Sequence, residues 1–268
     1  SYNEHMVKVR FLAEKAREVS RRLGLLSTEA KNQILEKIAE SLEENFLTIM
    51  KANEKDMAAG RKKKLPESLL DRLYLDKKRV GGMAADVRSV ARLKDYVGEV
   101  LETRELPNKL FLRRVRVPIG VIGMIYEARP NVTVDAATLC FKSGNAVILK
   151  GGSDAMHSNR ALIKIIQDVL REMSFTEPEA RLQDAVQLLD SVDRNLTGEM
   201  LKLYGLIDVI IPRGGKGLID FVRENSKIPV IETGASVVHI YVHEDADIKK
   251  AVDIVLNAKL RRVGICNT

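Results

Sequence analysis

The 268-residue sequence predicts an α/β protein: a layer of N-terminal helices followed by a doubly wound, mostly parallel sheet. Three observations carry that prediction. Apolar residues keep a helical period from Val7 to about Leu101, and the period changes to two at Leu110. From Val121 onward, short apolar runs alternate with helix-length amphipathic ones, the rhythm of parallel strands joined by crossover helices.

Taken in order, Ser1 to Met6 reads as an appended leader, with the native chain starting near Met6, and stays outside the fold reasoning. Leu12, Ala16 and Val19 then share one helix face. Ser27 is placed to cap a second helix, in which Ile34, Leu35, Ile38 and Leu42 recur at helical spacing. The basic run at 61–64 precedes Leu65-Pro66 and reads as a solvated loop, and Ser68 with Asp71 three residues on predicts another helix start. Near Leu110, Val115 and Val117 point one way and Arg114 and Arg116 the other, a basic edge that leads into the buried run 121–125. Pro130 biases Arg129 to an extended conformation and ends that strand, so 127–131 reads as a loop. Strands are predicted at 146–149, 185–189, 208–211, 229–231 and 237–242, with helices over 158–173, 197–203 and 217–223. After the acidic turn at 243–247 a helix runs through Ile248, Val252 and Val255. Residues 7–236 are thus expected to form the helical layer and a nucleotide-binding α/β domain, and 237–268 the incomplete start of a second domain.

The net charge of +7 suits an anionic partner. Nucleic acid is disfavoured, because the chain has no Trp and only 4% aromatics to stack on bases. No run reaches the ~18 apolar residues of a membrane span, and the N-terminus lacks an apolar signal core. Two cysteines, Cys140 and Cys266, are too few for a disulfide framework, which points to a reducing, cytosolic setting. His239 and His243 share a face of the strand expected there, but without a third ligand they read as surface residues rather than a metal site.

Three strand ends carry residues suited to chemistry. Lys150-Gly151-Gly152-Ser153 follows one strand; paired glycines let the backbone approach phosphate or ribose, and the lysine adds a cation. Arg213-Gly214-Gly215 follows another, ahead of a helix whose first amides can meet an anion. The third is Glu127-Ala128-Arg129-Pro130-Asn131. None of these loops matches G-x-G-x-x-G or the P-loop, so neither standard nucleotide motif applies. Cys266, near the end of the sequence, is either an inert small residue or a nucleophile whose thiol, ordinarily near ~8.5, is lowered by neighbours such as Arg261 and Arg262.

Five ordered segments settle between those readings: Val117 to Asn131, Lys142 to Ser153, His157-Ser158-Asn159, Ile210 to Gly215, and Asn257-Ala258-Lys259 with Cys266-Asn267. Together they resemble the gamma-glutamyl phosphate reductase branch of the aldehyde dehydrogenase superfamily. Glu232-Thr233-Gly234 resembles that superfamily's Glu-x-Gly motif and stands 34 residues ahead of Cys266, the family's usual interval to its nucleophile. The resemblance implies an aldehyde-dehydrogenase-like fold and NADPH-dependent reduction of L-glutamyl 5-phosphate in proline biosynthesis. It makes Cys266 the nucleophile and Asn131 the oxyanion donor. Lys150, Gly151, Gly152, Ser153, Arg213, Gly214, Gly215 and Glu232 would hold NADP(H), and Glu127 and Arg129 would meet the substrate. Family members continue past this cysteine, so the chain is expected to be a C-terminally truncated form, inactive alone, of an enzyme that is a homo-oligomer at full length. Ala235 to His239 and Leu260 to Val263 depart from the family pattern beside the expected nucleophile. Two other readings are a hydrolytic aldehyde dehydrogenase with Glu232 as base, and a noncatalytic module that pairs through the edge at 110–117.

Overall fold

The computed structural model describes residues 2–127, 129–174, 181–191, 193, 195–232 and 238–261, with side chains from Lys8 onward. Contacts divide the chain into two compact units, 1–231 and 232–268.

The first unit opens with five helices, α1 Tyr2–Leu23, α2 Thr28–Glu44, α3 Phe46–Lys62, α4 Glu67–Leu73 and α5 Lys77–Arg92. Ser27 caps α2 as expected, its Oγ accepting from the Ala30 amide at 3.1 Å, and Leu35, Ile38 and Leu42 are buried on the inner face. Several boundaries differ from the sequence reading. Helix α1 already begins at Tyr2, inside the stretch set aside as a leader. Arg61 and Lys62 belong to the last turn of α3, where basic side chains complement the helix dipole. Helix α4 starts at Glu67 directly after Pro66, whose φ is fixed by its ring, so Ser68 lies within the first turn and caps nothing. The side-chain cap of the next helix is Asp76, which accepts from the Arg79 amide at 2.7 Å. The helical period ends at Arg92 rather than near Leu101, because Val100–Glu105 is strand β1.

Strand β1 pairs antiparallel with β2, Phe111–Val115, and every residue of both is exposed. A four-stranded parallel sheet follows, built from β3 Val121–Tyr126, β4 Ala146–Lys150, β5 Val186–Leu188 and β6 Val209–Arg213 in the order β5-β4-β3-β6. Its connections are α6 Pro130–Lys142, α7 Met156–Met173 and α8 Asn195–Met200, and α9 Lys216–Asn225 follows β6. The fold is therefore α/β with a parallel sheet.

Helix α6 was not anticipated. Thr133, Val134, Ala136, Ala137, Thr138, Cys140 and Phe141 are all buried, so the segment has no polar face to show a 3.6 period. Arg129 is extended at φ −140°, as the following proline requires, and Pro130 occupies the first helical turn. The strand expected at 229–231 reduces to a single parallel bridge between Val230 and Ile210 at the sheet edge. Of the strand expected at 237–242, position 237 lies outside the described residues and 238–242 carry no strand; His239 and His243 thus do not share a strand face. The second unit contains α10 Ile248–Leu260, capped by Asp247 through the Lys250 amide at 3.2 Å. Among the described residues no helix is long and apolar enough to cross a membrane.

A buried polar cluster ties the helical layer to the sheet domain. Asp56 on α3 is 2% exposed and accepts from the amides of His157 and Ser158 at 3.1 and 2.7 Å, and from Ser158 Oγ at 2.7 Å. The carboxylate thereby caps the start of α7, where free amides and the helix dipole both favour negative charge. Asn53, one turn earlier on α3, donates to Ser158 Oγ at 3.0 Å and to the Leu73 carbonyl at 2.8 Å, while its Oδ1 accepts from the Leu75 amide at 2.9 Å. A second buried pair, Lys31 Nζ to Asp95 at 2.9 Å, joins α2 to the segment after α5. Burial acts to raise the Asp95 carboxyl, but the Lys31 ammonium, the Val97 amide and the Thr28 hydroxyl outweigh it and hold it below the usual range.

Replacing Asp56 by Ala strands the His157 and Ser158 amides and takes one partner from the Ser158 hydroxyl. Asp56→Ala is expected to lower unfolding free energy by about 2–4 kcal/mol in urea titrations, and Asp56→Asn, which keeps one acceptor, by about half as much.

Candidate functional site

The order β5-β4-β3-β6 places successive strands on one side of β3 and β6 on the other. Chain connections therefore leave β3 and β6 in opposite directions, and open α/β sheets hold ligands in the crevice that this reversal leaves at the carboxyl ends of the strands. Tyr126 and Arg213 are paired in register at that edge, and the Glu127 amide donates to the Arg213 carbonyl at 3.2 Å.

On the β6 side, Gly215 is the N-cap of α9. Its amide donates to Glu127 Oε2 at 3.2 Å, so an anionic side chain of the protein already sits on the helix start. A Cβ on Gly214 would lie 2.7 Å from Cδ of Glu127, which means that the glycine makes room for this carboxylate. Arg213, Gly214 and Gly215 are exposed.

On the β4 side, Lys150 is 7% exposed and its Nζ donates to the Gly151 carbonyl at 3.1 Å. Burial pushes its ammonium below the ordinary lysine value, and Asp193 opposes that shift. Gly152 leads into a 3-10 turn over Ser153–Ala155 that runs on into α7. Beneath this loop runs a buried chain of hydroxyls and amides. Tyr126 Oη and Thr133 Oγ1 are 2.6 Å apart, and Thr133 Oγ1 donates to Asn159 Oδ1 at 2.8 Å. Asn159 Nδ2 is buried without a hydrogen-bond partner, and a Cβ on Gly151 would fall 2.4 Å from it. Desolvation raises the Tyr126 hydroxyl well above the usual phenol range, so it serves as a neutral hydrogen-bonding group. Tyr126 and Asn159 lie within the family-like segments 117–131 and 157–159, but neither they nor Thr133 stand out as site residues. Their signal in the sequence is polarity inside otherwise apolar runs, which a search for loops passes over.

The structure thus brings Lys150, Gly151, Gly152 and Ser153 to the same sheet edge as Arg213, Gly214 and Gly215, and puts Glu127 with the second set. Arg129 is exposed at the N-cap of α6. Asn131, in the first turn of α6, is exposed and donates its amide to Asp135 Oδ2 at 3.2 Å. Burial raises the Asp135 carboxyl, Asp86 adds to the shift, and the Asn131 bond resists it. Glu232 is half-buried at the start of the second unit. Cys266 and Asn267, with Arg262 and 233–237, lie outside the described residues. Among the described residues no three His, Cys, Asp or Glu side chains gather as metal ligands.

This donor set fits a dinucleotide. Two glycine-containing loops end β4 and β6, the parallel strands on either side of β3; a lysine stands at one, and a carboxylate holds an anion's place on a helix amide at the other.

Comparison with known proteins identifies the family. The model of the aldehyde dehydrogenase family matches residues 3–267. A gamma-glutamyl phosphate reductase of Desulforamulus reducens is 51% identical over 98% of this chain and 62% of its own length. The crystal structure of gamma-glutamyl phosphate reductase from Thermotoga maritima superposes with a TM-score of 0.89 at 44% identity, over 96% of this chain and 61% of that one. The Saccharomyces cerevisiae gamma-glutamyl phosphate reductase structure gives 0.75 at 35% identity, over 94% of this chain and 63% of its own. The chain belongs to the aldehyde dehydrogenase family, and it spans about 62% of the length of the curated relatives it matches.

The one described cysteine is not a nucleophile. Cys140 is 7% exposed, and burial pushes its thiol up to about 12. Alkylation by iodoacetamide at pH 8, followed by peptide mass mapping, is expected to label Cys140 at least about a hundredfold more slowly in the folded protein than in guanidinium.

Proposed function

We propose that this member of the aldehyde dehydrogenase family acts in the NADPH-dependent reduction of L-glutamyl 5-phosphate to L-glutamate 5-semialdehyde, a step of proline biosynthesis. The observation that carries this reading is 51% identity, over 98% of the chain, to proteins named for that reaction.

Cys266 is the nucleophile in this scheme. Its thiolate attacks the acyl carbon, the bond to the phosphate oxygen breaks, phosphate leaves, and a thioester remains on the protein. When bound by the residues proposed below, NADPH would supply the hydride for reduction of this thioester. The resulting thiohemiacetal oxyanion collapses to the aldehyde and returns the thiolate. Asn131 is proposed to steady the oxyanion through the second hydrogen of its side-chain amide, the first being donated to Asp135 at 3.2 Å. Arg129, exposed at the mouth of α6, is the cation for the acyl phosphate.

For the dinucleotide, Lys150 meets the adenosine ribose or its 2′-phosphate, with Gly151, Gly152 and Ser153 allowing close approach. Arg213, Gly214 and Gly215 receive the diphosphate at the start of α9, and Glu232 stands on the cofactor side. An acyl phosphate needs no hydrolytic water for reduction, so Glu232 is not required as a base. The whole enzyme is proposed to be a symmetric homo-oligomer of a reducing, cytosolic compartment, with no nucleic-acid or membrane partner.

The whole gene product, supplied with freshly generated glutamyl phosphate, is expected to oxidise NADPH and release phosphate one for one. Cys266→Ala should lower that rate by about a thousandfold or more while leaving NADPH binding, followed by fluorescence, within about twofold. Reduction of NAD(P) by a free aldehyde, with no response to acyl phosphate, would replace this reading with a hydrolytic aldehyde dehydrogenase.

A further inference from the structure

We propose that Glu127 is a built-in competitor for the diphosphate of the dinucleotide, an anionic side chain that occupies the start of α9 and must swing away before a ligand can take the same amide. The inference rests on the dinucleotide reading of the sheet edge.

Four observations combine. The Glu127 carboxylate accepts from the Gly215 amide at 3.2 Å, and Gly215 is the residue that opens α9. Gly214 lies against the same side chain, and any Cβ there would come within 2.9 Å of both Cγ and Cδ of Glu127. The backbone of Glu127 is itself fixed, its amide on the Arg213 carbonyl at 3.2 Å and its carbonyl on the Arg129 amide at 2.7 Å. Only the side chain is therefore free to leave. Across the same crevice, Asn159 Nδ2 is buried and unpartnered beneath Gly151, a donor left over in the loop that ends β4.

Two anions cannot share one exposed amide without repulsion, so an occupied helix start reduces the fraction of molecules ready to bind. Apparent affinity falls in proportion to that fraction. The contact is exposed, which keeps its strength in the range of an ordinary helix-end charge and lets a ligand with two phosphates displace it. Glu127 thus tunes affinity and does not close the site. It also guards an open helix start against single inorganic anions, which bring fewer contacts with which to expel it.

The test is calorimetric titration of the full chain with NADPH and, separately, with inorganic diphosphate, at low ionic strength. Wild type is compared with Glu127→Gln, which removes the charge, and Glu127→Asp, whose shorter side chain withdraws from Gly215. Amide NMR of Gly215 reports directly on occupancy, and thermal melts confirm that each variant folds. Glu127→Gln is expected to bind both ligands about fivefold more tightly. Glu127→Asp should give a smaller gain, and the Gly215 amide should shift on ligand addition at lower concentration in both variants. Unchanged or weaker binding of both ligands by Glu127→Gln overturns the inference even if wild type binds NADPH well. A gain for diphosphate with no NADPH binding in any form supports competition and removes the dinucleotide reading. Absence of binding by either ligand to every form overturns both.

Discussion

Everything at the site depends on β3 having a partner on each side. It pairs with β4 from Val121 to Ile125 and with β6 from Ile122 to Tyr126, all in parallel. Parallel strands must be joined by crossovers, so a strand held between two neighbours reached in opposite directions leaves a gap at its carboxyl end. The sequence enforces the central position. Gly123 admits Ile210 Cδ1 and Met200 Cε to within 2.5 and 2.6 Å of where a Cβ would stand, and Gly120, at φ +124°, turns the chain into the strand beside Asp208. Asp208 then closes the amino end of the sheet, accepting from the Val121 amide at 2.7 Å and from Arg17 on α1 at 2.8 Å.

The helical layer reinforces the same arrangement from outside. Asp56 and Asn53 of α3 bond the first turn of α7, the helix that follows the Lys150 loop. That loop is consequently held at both ends, by β4 in the sheet and by a buried carboxylate of another layer. Beneath it, Tyr126, Thr133 and Asn159 link β3, α6 and α7 through buried hydrogen bonds, which fix geometry directionally, while Asn159 Nδ2 stays unpartnered.

Much of this was legible in the sequence, for identifiable reasons. The four strands show because a parallel sheet buried on both faces gives continuous apolar runs such as Ala146 to Leu149, and α7 shows because one face is apolar and the other charged. Helix α6 escaped because burial on nearly every side erases periodicity. The strands expected at 229–231 and 237–242 rest on β-branched residues, which raise strand propensity whether or not a partner strand exists; 229–231 keeps one bridge and 238–242 carry no strand. The two glycine loops were found as loops. What a sequence does not convey is which atom fills the space a glycine leaves, and at Gly214 that space is taken by the side chains of Glu127 and Leu218.

Gly214 has a further consequence for how its own position can vary. Its missing side chain answers to residue 127, eighty-seven positions earlier, through a contact internal to the fold. A side chain at 214 would also meet Leu218 Cδ2 at 2.8 Å, so a small residue at 127 alone does not free the position. The glycine answers to a carboxylate and a leucine of its own fold before it answers to the shape of any nucleotide.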